Sequence, residues 1–144
     1  MLRNLLTTPA AARSLGFAGL IPFGAAAISG LVSGAPFHDI ALRALLAYGA
    51  VILSFLGGIR WGLAISKIDS ADLFRPLCVS VLPALLGWLS LLLPAPMGLA
   101  LLAFGFAAML LADLRLSTAP PWYSSLRLPL SVGAISALLL GLLI

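Results

Sequence analysis

The sequence predicts an all-α membrane protein, a compact bundle of five transmembrane helices, and three observations point that way. Of the 144 residues, 62% are hydrophobic and 8% are charged, where soluble domains carry about 25% charged residues; the mean hydropathy is +1.21. The apolar residues gather into five stretches, each close to the ~20 residues that cross a hydrocarbon core of about 30 Å. The eight lysines and arginines lie between these stretches or toward their ends, and nowhere form a patch. A chain of this kind has lipid as its solvent. That excludes a soluble catalytic domain, a nucleic-acid-binding module in spite of the net charge of +4, and a disulfide-stapled fold, since Cys78 is the one cysteine. Cys78 falls where the third helix begins and is read as a small buried apolar residue.

The first span runs from Arg13 to Gly34. Residues 1–14 carry Arg3 and Arg13 and no acid, as a signal peptide would, but the apolar stretch Leu15 to Val32 exceeds a signal core of about 7 to 15 residues. We expect it to be retained as a span, kinked at Pro22, which removes a backbone donor. The second span runs from Ala41 to Ser66, after a loop holding His38 and Asp39, which we expect to be solvated. The third runs from Arg75 to Leu93, with Pro83 inside it. The fourth, Met97 to Arg115, is separated from the third by Leu93-Pro94-Ala95-Pro96; without that break the two would form a helix of roughly 60 Å, twice the bilayer core. The fifth runs from Leu126 to Ile144. Before it, Pro120-Pro121-Trp122-Tyr123-Ser124-Ser125-Leu126-Arg127 reads as a non-helical segment at headgroup level, because its prolines oppose a helix. All 144 residues form one transmembrane domain.

Orientation follows from the basic residues. With the N-terminus cytoplasmic, that side holds Arg3, Arg13, Lys67, Arg75, Arg115 and Arg127, with Arg60 one to two turns inside the second span, whereas the far side holds Arg43. Lysine and arginine are retained on the cytoplasmic side, so the chain is expected to start there and end on the other side. Trp61, Trp122 and Tyr123 fall near the same interface, where aromatic residues are enriched. Trp88 falls near the opposite one.

Three rows of small residues recur every four positions: Ala50, Ser54, Gly58, Gly62 and Ser66 in the second span; Gly133, Ala137 and Gly141 in the fifth; Ala26, Gly30 and Gly34 in the first. Such rows are helix-contact surfaces in membranes. They serve either the bundle's own packing or a face for a second copy or a larger complex. Arg60 is the most anomalous residue, since an arginine at a helix centre costs about 2.5 to 3.5 kcal/mol on insertion scales. It lies about 9 Å inside the end of its span, in the same leaflet as Asp113, and we expect the two to approach one another. A pair at about 4 Å recovers roughly 4 kcal/mol at an effective dielectric of 20, before desolvation is subtracted. The alternative is that each is a separate interfacial anchor, with Arg60 on a lipid phosphate. Trp122 is placed for a cation–π contact from Arg60 or Arg127.

Enzyme signatures are lacking: there is no G-x-S-x-G elbow, no H-E-x-x-H and no phosphate-binding loop. His38, the one histidine, and four aspartates with no glutamate are too few for a protein-only metal cage. We therefore expect no catalytic residue, no metal and no cofactor.

Four elements in this order carry a resemblance: Gly19-Leu-Ile-Pro-Phe23; Tyr48-Gly-Ala with Ser54-Phe-Leu-Gly-Gly-Ile-Arg-Trp-Gly62; Ser80-Val-Leu-Pro83 through Gly87-Trp88; and Pro121-Trp-Tyr-Ser-Ser-Leu-Arg127. Together they resemble the domain-of-unknown-function family of small inner-membrane proteins that includes human transmembrane protein sixty-nine. The resemblance implies the cytoplasmic (inner) membrane of bacteria, or the mitochondrial inner membrane in animals, and supplies no catalytic residue. It also implies that Arg60, Trp61, Trp122, Tyr123 and Arg127 form one assembled site. The expected function is a non-enzymatic accessory or assembly subunit, partnered by the lipid bilayer, a larger membrane complex or further copies of itself, and not by nucleic acid. One alternative is a small oligomeric transporter or channel with a cytoplasm-facing cavity at Arg60 and Asp113, shaped by Pro22 and Pro83. Another is a lipid- or quinone-binding subunit with a crevice open sideways near Trp61.

Overall fold

In lipid the backbone has no water to bond, so each crossing must satisfy its own N–H and C=O groups as a helix. The computed structural model describes residues 8–34, 36–66, 73–115 and 119–144, and every regular element among them is an α-helix. These are α1 (Ala10–Ala18), α2 (Ile21–Val32), α3 (Phe37–Ile65), α4 (Phe74–Leu92), α5 (Ala95–Leu114) and α6 (Pro121–Gly141). Since α1 and α2 form one span, five helices are long and apolar enough to cross a membrane. Arg3 and Lys67 lie outside the described residues.

All five spans begin earlier than the sequence reading places them, and two of the shifts move residues of interest into a helix. Helix α6 begins at Pro121, with Pro120 as its cap, rather than at Leu126. Proline at the first helical position lacks only an N–H that would be unpaired there anyway, and its φ suits the helix; the prolines therefore start α6 instead of preventing it. Helix α3 begins at Phe37, so His38 and Asp39 belong to its first turn and not to a loop. Asp39 there faces the positive end of the helix dipole. At 29 residues, α3 is about 43 Å long, which exceeds the hydrocarbon core and carries its ends toward the headgroups.

Pro22 marks a break rather than a kink. It occupies the first turn of α2, after Gly19 and Leu20. The carbonyl of Gly19 accepts a hydrogen bond from the Tyr48 hydroxyl at 2.9 Å, so a neighbouring helix satisfies the acceptor exposed at the break. The Tyr48 ring meets Phe23 edge-on at 4.9 Å, and Phe23 meets Phe106 in the same way at 5.8 Å. Around these rings Leu45, Leu53, Leu99, Leu102 and Leu138 are buried and close the core.

Helix α3 is the hub, packed against α2, α4, α5 and α6, while α4 leans chiefly on α3 and α5. The α3–α4 contact is close because both faces are small. A Cβ on Gly87 would stand 2.9 Å from the Ala50 carbonyl oxygen, and one on Gly57 would collide with the Ser80 carbonyl oxygen. Pro83 lies against Gly57 as well, so its role is to shape this contact. Ser80 and Ser90 donate to the carbonyls of Leu77 and Gly87 in their own helix, each at 2.6 Å, and so present a neutral face. Gly98 of α5 rests on the Ser90 backbone.

The small-residue row proposed on the second span is corrected here. Ala50 packs inward, Ser54 is half-buried, and Gly58, Gly62 and Ser66 are exposed; a Cβ on Gly58 or Gly62 would meet nothing within 4 Å. A strict four-residue row advances about 40° around the helix per step, so three steps carry it about 120° away from its starting face. Contact instead follows Ala50, Leu53 and Gly57. On α6 the row does pack: Gly133 lies against Leu20, Ala137 is buried, and Gly141 lies against Leu45 and Leu99. On the first span Gly30 lies against Ile144 and Ala41, whereas Gly34 is open.

Gly57 and Gly58 therefore offer a paired test. Gly57→Ala should destabilise the protein by about 1–3 kcal/mol through overpacking. Gly58→Ala should leave it unchanged, or stabilise it by up to about 1 kcal/mol through helix propensity. Reversible denaturation in detergent micelles measures both; equal losses would contradict the α3–α4 packing.

Candidate functional site

Three helix ends meet at one end of the bundle. Asp113 is the penultimate residue of α5, Arg60 lies about 7 Å before the end of α3, and Arg127 lies about 9 Å after the start of α6. The three side chains converge. Arg60 Nη1 donates to Asp113 Oδ1 at 3.0 Å, and Arg127 Nε donates to Oδ2 at 2.9 Å. The Tyr123 hydroxyl makes a longer contact with Oδ2 at 3.4 Å. The Asp113 side chain is fully enclosed, that of Arg127 is 7% exposed and that of Arg60 is 17% exposed.

One carboxylate thus serves two guanidiniums, which leaves the cluster with one excess positive charge. Arg127 Nη2 is buried without a hydrogen-bond partner, as is Ser131 Oγ one turn further along α6. A buried donor left unpaired costs about 1–3 kcal/mol, so this corner is polar, positively charged and incompletely satisfied.

The other residues singled out in the sequence divide around this cluster. Tyr123 joins it. Trp122 is half-buried and meets the Tyr123 ring edge-on at 6.4 Å; the guanidiniums of Arg60 and Arg127 bond to Asp113 rather than stacking on it. Trp61 stands apart, 43% exposed, in a shallow groove with Phe74, Leu77, Cys78 and Val81. The structure therefore brings together Arg60, Asp113, Tyr123 and Arg127 but leaves Trp61 outside. No group of three or more potential metal-ligating side chains occurs among the described residues.

Two residues that the sequence reading did not pair with the site support it. Tyr48 anchors the break in the first span. Pro129, inside α6, removes the N–H that would bond the Ser125 carbonyl, two residues beyond Arg127. The sequence signal for Tyr48 is its place in the Tyr48-Gly-Ala element; the signal for Pro129 is its position in an apolar run.

The ion cluster yields a prediction. Asp113→Asn removes the counterion of two buried arginines and should cost about 3–5 kcal/mol. In a double-mutant cycle with Arg127→Gln the losses should be non-additive by about 0.5–3 kcal/mol. Strict additivity in detergent unfolding would show that the two side chains do not interact.

The comparisons with known proteins agree with this architecture. Residues 8–143 match the family described as Protein of unknown function (DUF3429). Transmembrane protein 69 of Xenopus tropicalis is 42% identical over 141 residues, covering 95% of this chain and 55% of that protein. Transmembrane protein 69 of Mus musculus is 33% identical over 128 residues, covering 86% of this chain and 52% of that protein. The chain thus spans about half the length of these curated relatives. No solved structure matches it. With the match extending through all five apolar helices, this chain is a multi-pass membrane protein that belongs to the DUF3429 family.

Proposed function

We propose that the protein is a non-enzymatic accessory or assembly subunit of a bacterial cytoplasmic membrane or a mitochondrial inner membrane, docking through the outer face of α3. The observation that carries this reading is the exposed pair Gly58 and Gly62. The bundle packs α3 by its other face, and Gly58 and Gly62 are left exposed with open space over them. In lipid, where association depends on close backbone approach and interhelical hydrogen bonds, two exposed glycines one turn apart suit a partner helix. Trp61 and Phe74 flank the pair as exposed aromatic side chains.

The interior supports the same reading. Arg60 and Asp113 are bonded to each other, and the apolar cleft beneath them has one charged lining residue among those described, Arg127. A transport path at Arg60 and Asp113 has less support than a clamp holding three helices in register. For orientation, the antiparallel sequence of spans gathers Arg13, Arg60, Arg75, Arg115 and Arg127 toward one end, with Arg43 near the other, which favours an N-terminus in the cytoplasm or matrix.

The test is purification in mild detergent. The native protein should migrate as an oligomer or with a stable partner, and Gly58→Leu with Gly62→Leu should release it as a monomer of undiminished thermal stability. Recovery of the native protein alone and monomeric would refute the docking role. For orientation, a periplasm-dependent reporter fused after Ile144 should be active; activity only in the cytoplasm would reverse the assignment.

A further inference from the structure

Beneath the ion cluster a cleft of about 140 Å³ opens between the first span, α3 and α6. Its floor is Phe23, Leu56, Phe106 and Ala134, all buried, and its rim includes Leu15 and Phe55, which are 73% and 62% exposed. The rim therefore faces the surrounding lipid. Arg127 lines the cleft at its charged end. Leu130 and Ala134 follow it one and two turns along α6, so the apolar part runs about 10 Å toward the middle of the bundle. The result is a slot with a cationic head and an apolar tail, opening sideways into the bilayer.

Charge and depth identify an occupant. Arg127 is 6% exposed, and its Nη2 is a buried donor with no partner. With two guanidiniums on one carboxylate the head end favours an anion over a neutral ring such as a quinone. Arg60 follows Leu56 by one turn of α3, and its side chain is the more exposed of the two arginines. Both bond the same carboxylate, at 3.0 and 2.9 Å, so the cationic groups lie together at the head of the slot. A glycerophospholipid brings its phosphate and ester oxygens to that head together, for two guanidiniums that share one carboxylate, whereas a fatty acid brings a single carboxylate.

We propose that this cleft holds one acyl chain of an anionic phospholipid, with Arg127 Nη2 donating to an oxygen at its headgroup end and the excess positive charge of the ion cluster selecting a lipid of net negative charge. The site borders the docking face on α3, since Phe55 on its rim precedes Gly58 by one turn, and its test uses isolated protein, in which no partner is present. Full-length protein is reconstituted with phosphatidylglycerol and phosphatidylcholine in equal amounts, with identical acyl chains, and retained lipid is counted by native mass spectrometry. One phosphatidylglycerol should remain per chain, preferred about tenfold, because the excess positive charge of the cluster disfavours the choline cation. Arg127→Lys keeps the charge that sets the preference but removes the planar fork, and should lower retention of both lipids about tenfold with the preference kept. Gly16→Leu should abolish retention of either lipid. A Cβ there would stand 2.9 Å from Leu130 Cδ1, a flexible side-chain end, so the added bulk fills the cleft without touching the ion cluster. Thermal unfolding checks that both variants fold. Should Arg127→Lys not fold, the native preference and Gly16→Leu decide the matter. Equal retention of the two lipids, retention unchanged by Gly16→Leu, or displacement of the phospholipid by oleate or a short-chain quinone would overturn the proposal.

Discussion

Asp113 is the only buried carboxylate among the described residues, and two arginines from different helices depend on it. An uncompensated charge in lipid is costly, so separating α3, α5 and α6 at this end would strand either a carboxylate or a guanidinium. The apolar contacts among the three helices tolerate small sliding, because leucine against leucine resembles leucine against lipid. The bonds from Arg60 and Arg127, at 3.0 and 2.9 Å, do not. The cluster therefore sets which turn of α6 faces which turn of α3. From that register follow the contacts further along the bundle, including Gly141 against Leu45 and Leu99.

Away from the cluster, cohesion comes from close packing rather than from the hydrophobic effect. Phe23, Tyr48 and Phe106 fill the space where the first span breaks. Glycine, serine and alanine let α3 and α4 approach until their backbones touch. The two devices are complementary: large rings fill the wide side of α3, and small residues close its narrow side. Buried serines return their hydroxyls to their own helices, so this narrow side needs no hydrogen bond between helices.

Much of this fold was legible because lipid leaves few choices. Five apolar stretches can form only helices, and a proline pair between the third and fourth requires a reversal. The proximity of Arg60 and Asp113 could be inferred from depth alone, since both count back to the same interface. Arg127 as the second partner of Asp113 could not. Reading Pro120-Pro121 as a break holds Arg127 at the headgroups, whereas a proline-initiated α6 carries it two turns inward. The four-residue row on α3 fails for a related reason: sequence spacing does not reveal which face meets a neighbour when 3.6 residues per turn rotates a strict row away from it. The same limit applies to Trp61, whose closeness in sequence to Arg60 places it about 100° around the helix, outside the cluster.

The two ends of α3 thus do different work because of its length. At 29 residues it outruns the hydrocarbon core, so its last turns, with Arg60, Trp61 and Gly62, lie toward the headgroups. Its inward face there is occupied by Asp113, while its outward face carries the open glycines. A single helix consequently presents a charged, internally bonded side to the bundle and a smooth, uncharged side to the membrane. An excess of one positive charge on the inner side need not disturb the outer one, since α3 itself stands between them. The cleft at Arg127 still borders the outer side, because its exposed rim residue Phe55 precedes Gly58 by one turn, so a lipid and a partner helix bound as proposed would be neighbours.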